Sequence, residues 1–129
     1  MSTPVGPYTP IVRAGPWLVC SGQLGLATGI GGGPPALVDG GPGPQLIQAV
    51  ANAAALLAST GASLADVVKT TVFTVDPVDF PVVNEAYLAA FGDHRPARSM
   101  VAVSGLPMGA AVEIEVWAFH DRPSGGEPA

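Results

Sequence analysis

Only two segments of this 129-residue chain carry a helical pattern, whereas five read as strands, and that imbalance limits how any sheet built from it can be covered. The first helix lies in QLIQAVANAAALLASTGAS, from Gln45. It is rich in Ala and Leu, apolar at Leu46, Val50, Ala53, Ala54 and Leu57, and stopped by Gly61. The second lies in DFPVVNEAYLAAFG and is expected over residues 80–91, ending at Gly92. IVRAGPWLVCSGQL gives two short strands around the turn at Gly15-Pro16. The second of these sets Trp17, Val19 and Ser21 on one face and Leu18 and Cys20 on the other. DVVKTTVFTV, residues 66–75, is a β-branched run and reads as a strand. Two more strands follow at 98–103 and 111–119, joined by SGLPMG. The order is ββαβαββ, an α+β arrangement with both helices on one face of a mixed sheet. No helix remains for the other face, and packing against copies of the same chain is the economical way to cover it.

The composition fits one such domain, expected over residues 1–120 with a disordered tail, DRPSGGEPA, at 121–129. Hydrophobic residues make up 48% and charged residues 12%, the opposite of a disordered chain. No apolar run reaches the ~18–20 residues that span a bilayer. MSTPVGPYTP lacks the basic-then-apolar layout of a secretory leader. With a single cysteine, Cys20, there is no internal disulfide framework and no cysteine-rich zinc site, so a cytoplasmic protein is expected. A net charge of −5 and a pI near 4.6 argue against nucleic acid, which selects a basic patch. The Gly/Pro segment at 27–44 lacks the GK[ST] ending of a phosphate loop and reads as a loop, with room for a short edge strand at 36–38.

The chain has only five Lys and Arg, yet Arg95 and Arg98 both fall in HRPARSMVAV, at the entrance to an apolar strand. AVEIEVWAF alternates strictly, so Glu113 and Glu115 share a face. If the last two strands form an antiparallel hairpin closed by 104–109, Arg98 faces Glu115 and Met100 faces Glu113. Arg98 and Glu113 are then diagonal neighbours, within ~7–8 Å. Such a pair is either a cross-strand salt bridge of little consequence or a guanidinium that binds a substrate anion beside a carboxylate that moves a proton. Spacing does not choose between them.

The ordered motifs do more. GPY at 6–8, SGQ at 21–23, GAS followed by ADVVKTTVF within 61–73, VNEAY at 83–87, RPARSMV at 95–101 and VEIE at 112–115 together resemble the RidA (YjgF) family of reactive-intermediate imine deaminases, over roughly residues 5–119. The resemblance implies a chorismate-mutase-like fold assembled as a homotrimeric barrel, with active sites in clefts between subunits. It implies hydrolysis of small 2-imino acids to 2-oxo acids and ammonia, without metal or cofactor. Carried over residue by residue, Arg98 would clamp the substrate carboxylate and Glu113 would position the attacking water and shuttle its proton. Tyr8, Ser21 and Asn84 would line the cleft, and the backbone N–H of Met100 would help hold the carboxylate. Three departures stand out. The family usually has Ser-Gln where this chain has Thr9-Pro10, so a different entry to the first strand is expected. A residue smaller than Met100 usually follows the Arg-Ser pair, so a narrower pocket is expected. The loop at 27–44 is unusually rich in Gly and Pro.

Other candidates have plainer readings. Cys20 on an apolar strand is expected to be a core thiol, and two isolated histidines, His94 and His120, do not make a metal site. Arg95 is expected to be a surface or intersubunit charge outside the site. Trp17 and Trp117 are expected to pack in the core or an interface. Two further functions use the same residues differently: a regulatory trimer that binds a 2-oxo acid without turnover, and a ribonuclease or translation inhibitor, which the acidic balance disfavours.

Overall fold

The computed structural model describes residues 6–121; most of the tail expected at 121–129 lies outside them. Strands β1 (Ile11–Ala14) and β2 (Trp17–Gln23) pair antiparallel across the Gly15-Pro16 turn, where Gly15 takes a φ of 60°. The Gly/Pro segment holds a small ribbon of β3 (Leu26–Ala27) and β4 (Ala36–Leu37). The chain continues through α1 (Pro42–Ala58), β5 (Val67–Thr74), α2 (Phe80–Phe91), β6 (Ala97–Ala102) and β7 (Val112–Phe119). α1 starts three residues before Gln45. Pro42 and Pro44 sit in its first turn, where their missing N–H groups would have had no intrahelical partner anyway.

The main sheet has the order β1-β2-β7-β5-β6, and both helices lie on one face of it, the expected α+β arrangement. α1 buries Leu46, Ala49, Val50, Ala53, Leu56 and Leu57, and α2 buries Val83, Ala86, Tyr87 and Phe91. They meet the alternate sheet residues Leu18, Cys20, Val72, Val112, Ile114 and Val116, all at most 1% exposed. The opposite face carries an apolar cluster that no described element covers. Trp17 stands edge-on to Trp117 (6.1 Å between ring centres) and to Phe119 (5.2 Å), and all three rings are exposed. The uncovered face expected from the helix count is present.

The pairing of the last two strands is different from the expected hairpin. α2 carries the chain back so that β6 runs parallel to β5, and β7 pairs with the other side of β5. β5 therefore separates β6 from β7. In register, Arg98 aligns with Thr70 and Val116, while Glu113 aligns with Phe73 and Val101. Thr70 and Val116 are fully buried under the helices. Arg98 thus belongs to the helix face, and Glu113 to the open face. Neither residue opposes the partners that the hairpin assigned.

Candidate active site

The sheet sorts the candidate residues into two hollows, one on each face. On the open face, Glu113 projects from β7 beside an irregularity in β2. From Cys20 to Gln23 β2 spends three steps where β7 spends two, from Val116 to Ile114, so Ser21-Gly22 forms a bulge. The bulge brings Gly22 against the Glu113 carboxylate. A Cβ on residue 22 would stand 1.8 Å from Glu113 Oε2 and 2.7 Å from its Cδ, so the carboxylate occupies the space that any other side chain would fill. Ser21 is held from the N-terminal side: its hydroxyl donates to Thr9 O (2.7 Å) and its N–H to Pro10 O (2.8 Å). Both acceptors are backbone carbonyls, so the Thr9-Pro10 departure does not alter this anchoring. The anchoring leaves Tyr8 beside Ser21, with its ring packed over Gly6.

Tyr8, Ser21, Gly22, Leu24, Pro107 and Glu113 line a hollow of about 250 Å³. Pro107 comes from the β6–β7 connection, where Met108 is the one non-glycine residue among those described with a positive φ (58°), a strained conformation at the rim of the site. Side chains of α1 hold the surroundings in place. Gln45 Oε1 accepts from the Ala111 N–H (2.9 Å), and Asn52 Nδ2 donates to the carbonyls of Leu24 (3.0 Å) and Leu26 (2.9 Å). Partial burial, and then the neighbouring Glu115, push the Glu113 pKa above the ordinary carboxylate value. A carboxylate so placed is a better proton acceptor than an exposed one.

On the helix face, β6 presents Arg98 beneath α2. The guanidinium carbon lies 4.8 Å from the centre of the Tyr87 ring, in cation–π geometry. The Tyr87 hydroxyl shares a 2.9 Å hydrogen bond with the buried Thr70. Burial raises the Tyr87 pKa, against opposing contributions from Thr70, Arg98 and Arg95. Asn84 is one helical turn before Tyr87 and Leu88, so all three face the same way. With Arg95, Pro96 and Arg98 they line a hollow of about 420 Å³. The one ion pair among the described residues joins His120 and Asp66 at 3.5 Å, so the salt-bridge reading of Arg98 does not hold there.

The expected site is therefore divided, with Tyr8, Ser21 and Glu113 in one hollow and Asn84 and Arg98 in the other. The side chain of Met100 packs against the core and lines neither hollow, so it does not narrow the pocket within this subunit. Arg95, left out of the site on sequence, lines the same hollow as Arg98. Gly22 was also missed; its signal was a glycine inside a strand pattern, which often marks a bulge. Cys20 is buried in the core and its thiol is pushed up to about 12 by burial, far from a reactive thiolate. His94 Nε2 hydrogen-bonds the Val67 carbonyl at 2.7 Å and His120 faces Asp66, in different parts of the fold. No described helix is long and apolar enough to cross a membrane.

Comparison with known proteins shows the family and the fold. The family described as endoribonuclease L-PSP matches residues 1–120. The human 2-iminobutanoate/2-iminopropanoate deaminase is 38% identical over 116 residues, covering 90% of this chain and 82% of the human one. A RutC family protein of Pyrococcus horikoshii is also 38% identical, over 92% of this chain and 90% of its own. The crystal structure of RidA from the Antarctic bacterium Psychrobacter sp. superimposes with a TM-score of 0.82 at 37% identity, covering 91% of each chain. On the match across nearly its whole length and on the fold, this chain belongs to the YjgF/RidA family, the endoribonuclease L-PSP family.

Proposed function

We propose that this chain is a cytoplasmic deaminase that hydrolyses small 2-imino acids, of the 2-iminopropanoate and 2-iminobutanoate kind, to 2-oxo acids and ammonia, with active sites formed between the subunits of a homotrimer. The observation that carries this reading is the division of the site. Anion-binding donors lie on one face of the sheet, beside its β6 edge, and a partly buried carboxylate lies on the other, which exposes an apolar aromatic surface. A second copy seated on that surface brings the Arg98 hollow of one subunit toward the Glu113 hollow of the next. Neither half is a complete site alone.

In the complete cleft, Arg98 grips the substrate carboxylate through two parallel hydrogen bonds. Asn84 and the backbone N–H of Met100 assist. Water oxygen bonds to the carbon of the protonated imine as the C=N π pair moves to nitrogen and Glu113 takes one water proton, giving a neutral carbinolamine. Glu113 passes that proton to nitrogen. The C–N bond then breaks with its electron pair leaving on ammonia, the C=O bond forms, and the hydroxyl proton passes to the Glu113 carboxylate. The imine carbon is already electrophilic, so the protein contributes mainly positioning and proton transfer. The family name also carries a ribonuclease reading. Against it stand a net charge of −5 and only five cations, two of them in the Arg98 hollow.

The test is to generate 2-iminopropanoate in situ, add the protein, and follow loss of the imine. Accelerated loss is expected. Binding of a 2-oxo acid without accelerated loss would favour the regulatory trimer instead. Light scattering should report a mass near three times 12.9 kDa; a stable monomer at micromolar concentration would remove the intersubunit site.

Gly22 supplies a sharper check. The atom that an alanine Cβ would meet is the far end of a flexible side chain, so Gly22→Ala should move the Glu113 carboxylate at little cost to the fold. The expected result is a thermal midpoint within a few degrees of the parent's and hydrolysis reduced ~10²-fold, the scale of a ~1 Å misplacement. Full activity in a trimeric Gly22→Ala protein would mean that the carboxylate need not sit where the bulge allows it.

A further inference from the structure

We infer that the Arg98 hollow takes a ligand with two carboxylates, a four- or five-carbon 2-imino or 2-oxo dicarboxylic acid, with Arg98 holding the first carboxylate and Arg95 the second. The inference rests on the proposed 2-imino acid site and specifies its substrate class. Arg95 and Arg98 line one hollow, three residues apart on either side of Pro96-Ala97, in a chain with only five cations. Neither makes an ion pair among the described residues.

Both guanidiniums are braced where they stand. Arg98 lies over the Tyr87 ring. Arg95 Nη1 donates to the carbonyls of Gly92 and His94 (3.1 Å to the latter) just past the C-terminal end of α2, where cations are favoured. Those two bonds engage one nitrogen of a group with five donors in a fork, so further donors remain for a ligand. Both charges oppose the rise of the Tyr87 pKa, so both stand within electrostatic reach of that hydroxyl. A monocarboxylate occupies one fork and leaves the second cation of the hollow without an anion. Asn84 adds a neutral polar group, and Leu88 and Pro96 supply apolar walls for the short carbon chain between two charged ends.

The plainer role for Arg95 is to cap α2, and matched ligands separate the two. Calorimetric titration of the full chain would compare 2-oxobutanoate with oxaloacetate and 2-oxopentanoate with 2-oxoglutarate, pairs in which a terminal methyl becomes a carboxylate. At least one dicarboxylate should bind ~10-fold or more tightly than its monocarboxylate partner, the scale of one added charge-assisted interaction. In Arg95→Gln the gap within that pair should close to about twofold or less, and Arg95→Lys, which keeps the charge and loses the fork, should retain part of it. No advantage in the parent, an advantage that survives Arg95→Gln, or an equal weakening of both pair members would overturn the inference. Tight monocarboxylate binding without a dicarboxylate advantage would overturn this inference alone. If no 2-oxo acid binds, the proposed site falls with it.

Discussion

Glu113→Gln is expected to lower imine hydrolysis by ~10²-fold or more, the usual cost of losing a positioned acid–base group. The amide keeps the size of the side chain and its fit against Gly22, but it cannot accept the proton of the attacking water. Binding of a 2-oxo acid through Arg98 should survive, because Arg98 lies in the other hollow. The pH dependence follows from the upward shift of the Glu113 pKa by burial and by Glu115. Activity should fall as pH drops through that raised pKa, so the acid limb of the rate profile should lie above the ordinary Glu value of about 4.3. The variant should lack this limb. For stability the sign is opposite to that of a salt-bridged carboxylate. The folded protein holds the Glu113 proton more tightly than the unfolded chain does, so its stabilising effect is present at low pH and lost as pH rises through the folded pKa. Glu113→Gln should therefore melt higher than the parent near neutral pH, with the two converging below the ordinary carboxylate range. Unchanged turnover would leave Glu113 without a catalytic role.

Arg98→Lys is expected to cost activity far more than stability. An exposed side chain at the sheet edge contributes little to folding, so the change should stay within ~1 kcal/mol. Lysine keeps a positive charge but offers a point where the guanidinium offers a fork, and it stacks less well on the Tyr87 ring. If Arg98 aligns the substrate carboxylate, hydrolysis should fall ~10²-fold through misalignment, and 2-oxo acid affinity should fall with it. Arg95 lines the same hollow and cannot serve as a neutral control. Arg13 can, because it donates to the carbonyls of Gly15 (3.1 Å) and His120 (3.0 Å), outside both hollows. Equal small losses for Arg98→Lys and Arg13→Lys would refute the clamp.

What was legible in the sequence was local. The alternation of β7 fixed which of its residues face the core, since a period of two needs no knowledge of neighbours. The helical stripe of α1 identified Leu46, Val50, Ala53 and Leu57 as core. Counting helices against strands exposed the uncovered sheet face. Strand partners are non-local, and there the reading failed. β6 and β7 are consecutive strands joined by a short loop, the pattern of a hairpin, yet β5 is paired on both edges and stands between them. That one insertion moved Arg98 from beside Glu113 to the other face. The start of α1 was hidden for a different reason: Pro42-Gly43-Pro44 has the composition of a loop, although proline suits the first turn of a helix. The motifs identified Tyr8, Ser21, Asn84, Arg98 and Glu113 as a set, but no pattern along one chain reveals that the set is split between two faces.

That split makes a subunit-mixing experiment the most direct test. Arg98→Lys and Glu113→Gln proteins would be unfolded separately, combined in equal amounts and refolded together, with each variant refolded alone as the control. If every site takes Arg98 from one subunit and Glu113 from the next, random assembly into a cyclic trimer gives about one quarter of the sites both native residues. Imine hydrolysis should then return to about a quarter of the parent's rate, from two components that are each nearly inactive. Activity no higher than the average of the two separate variants, in a mixture shown to contain mixed trimers, would contradict a site shared between subunits.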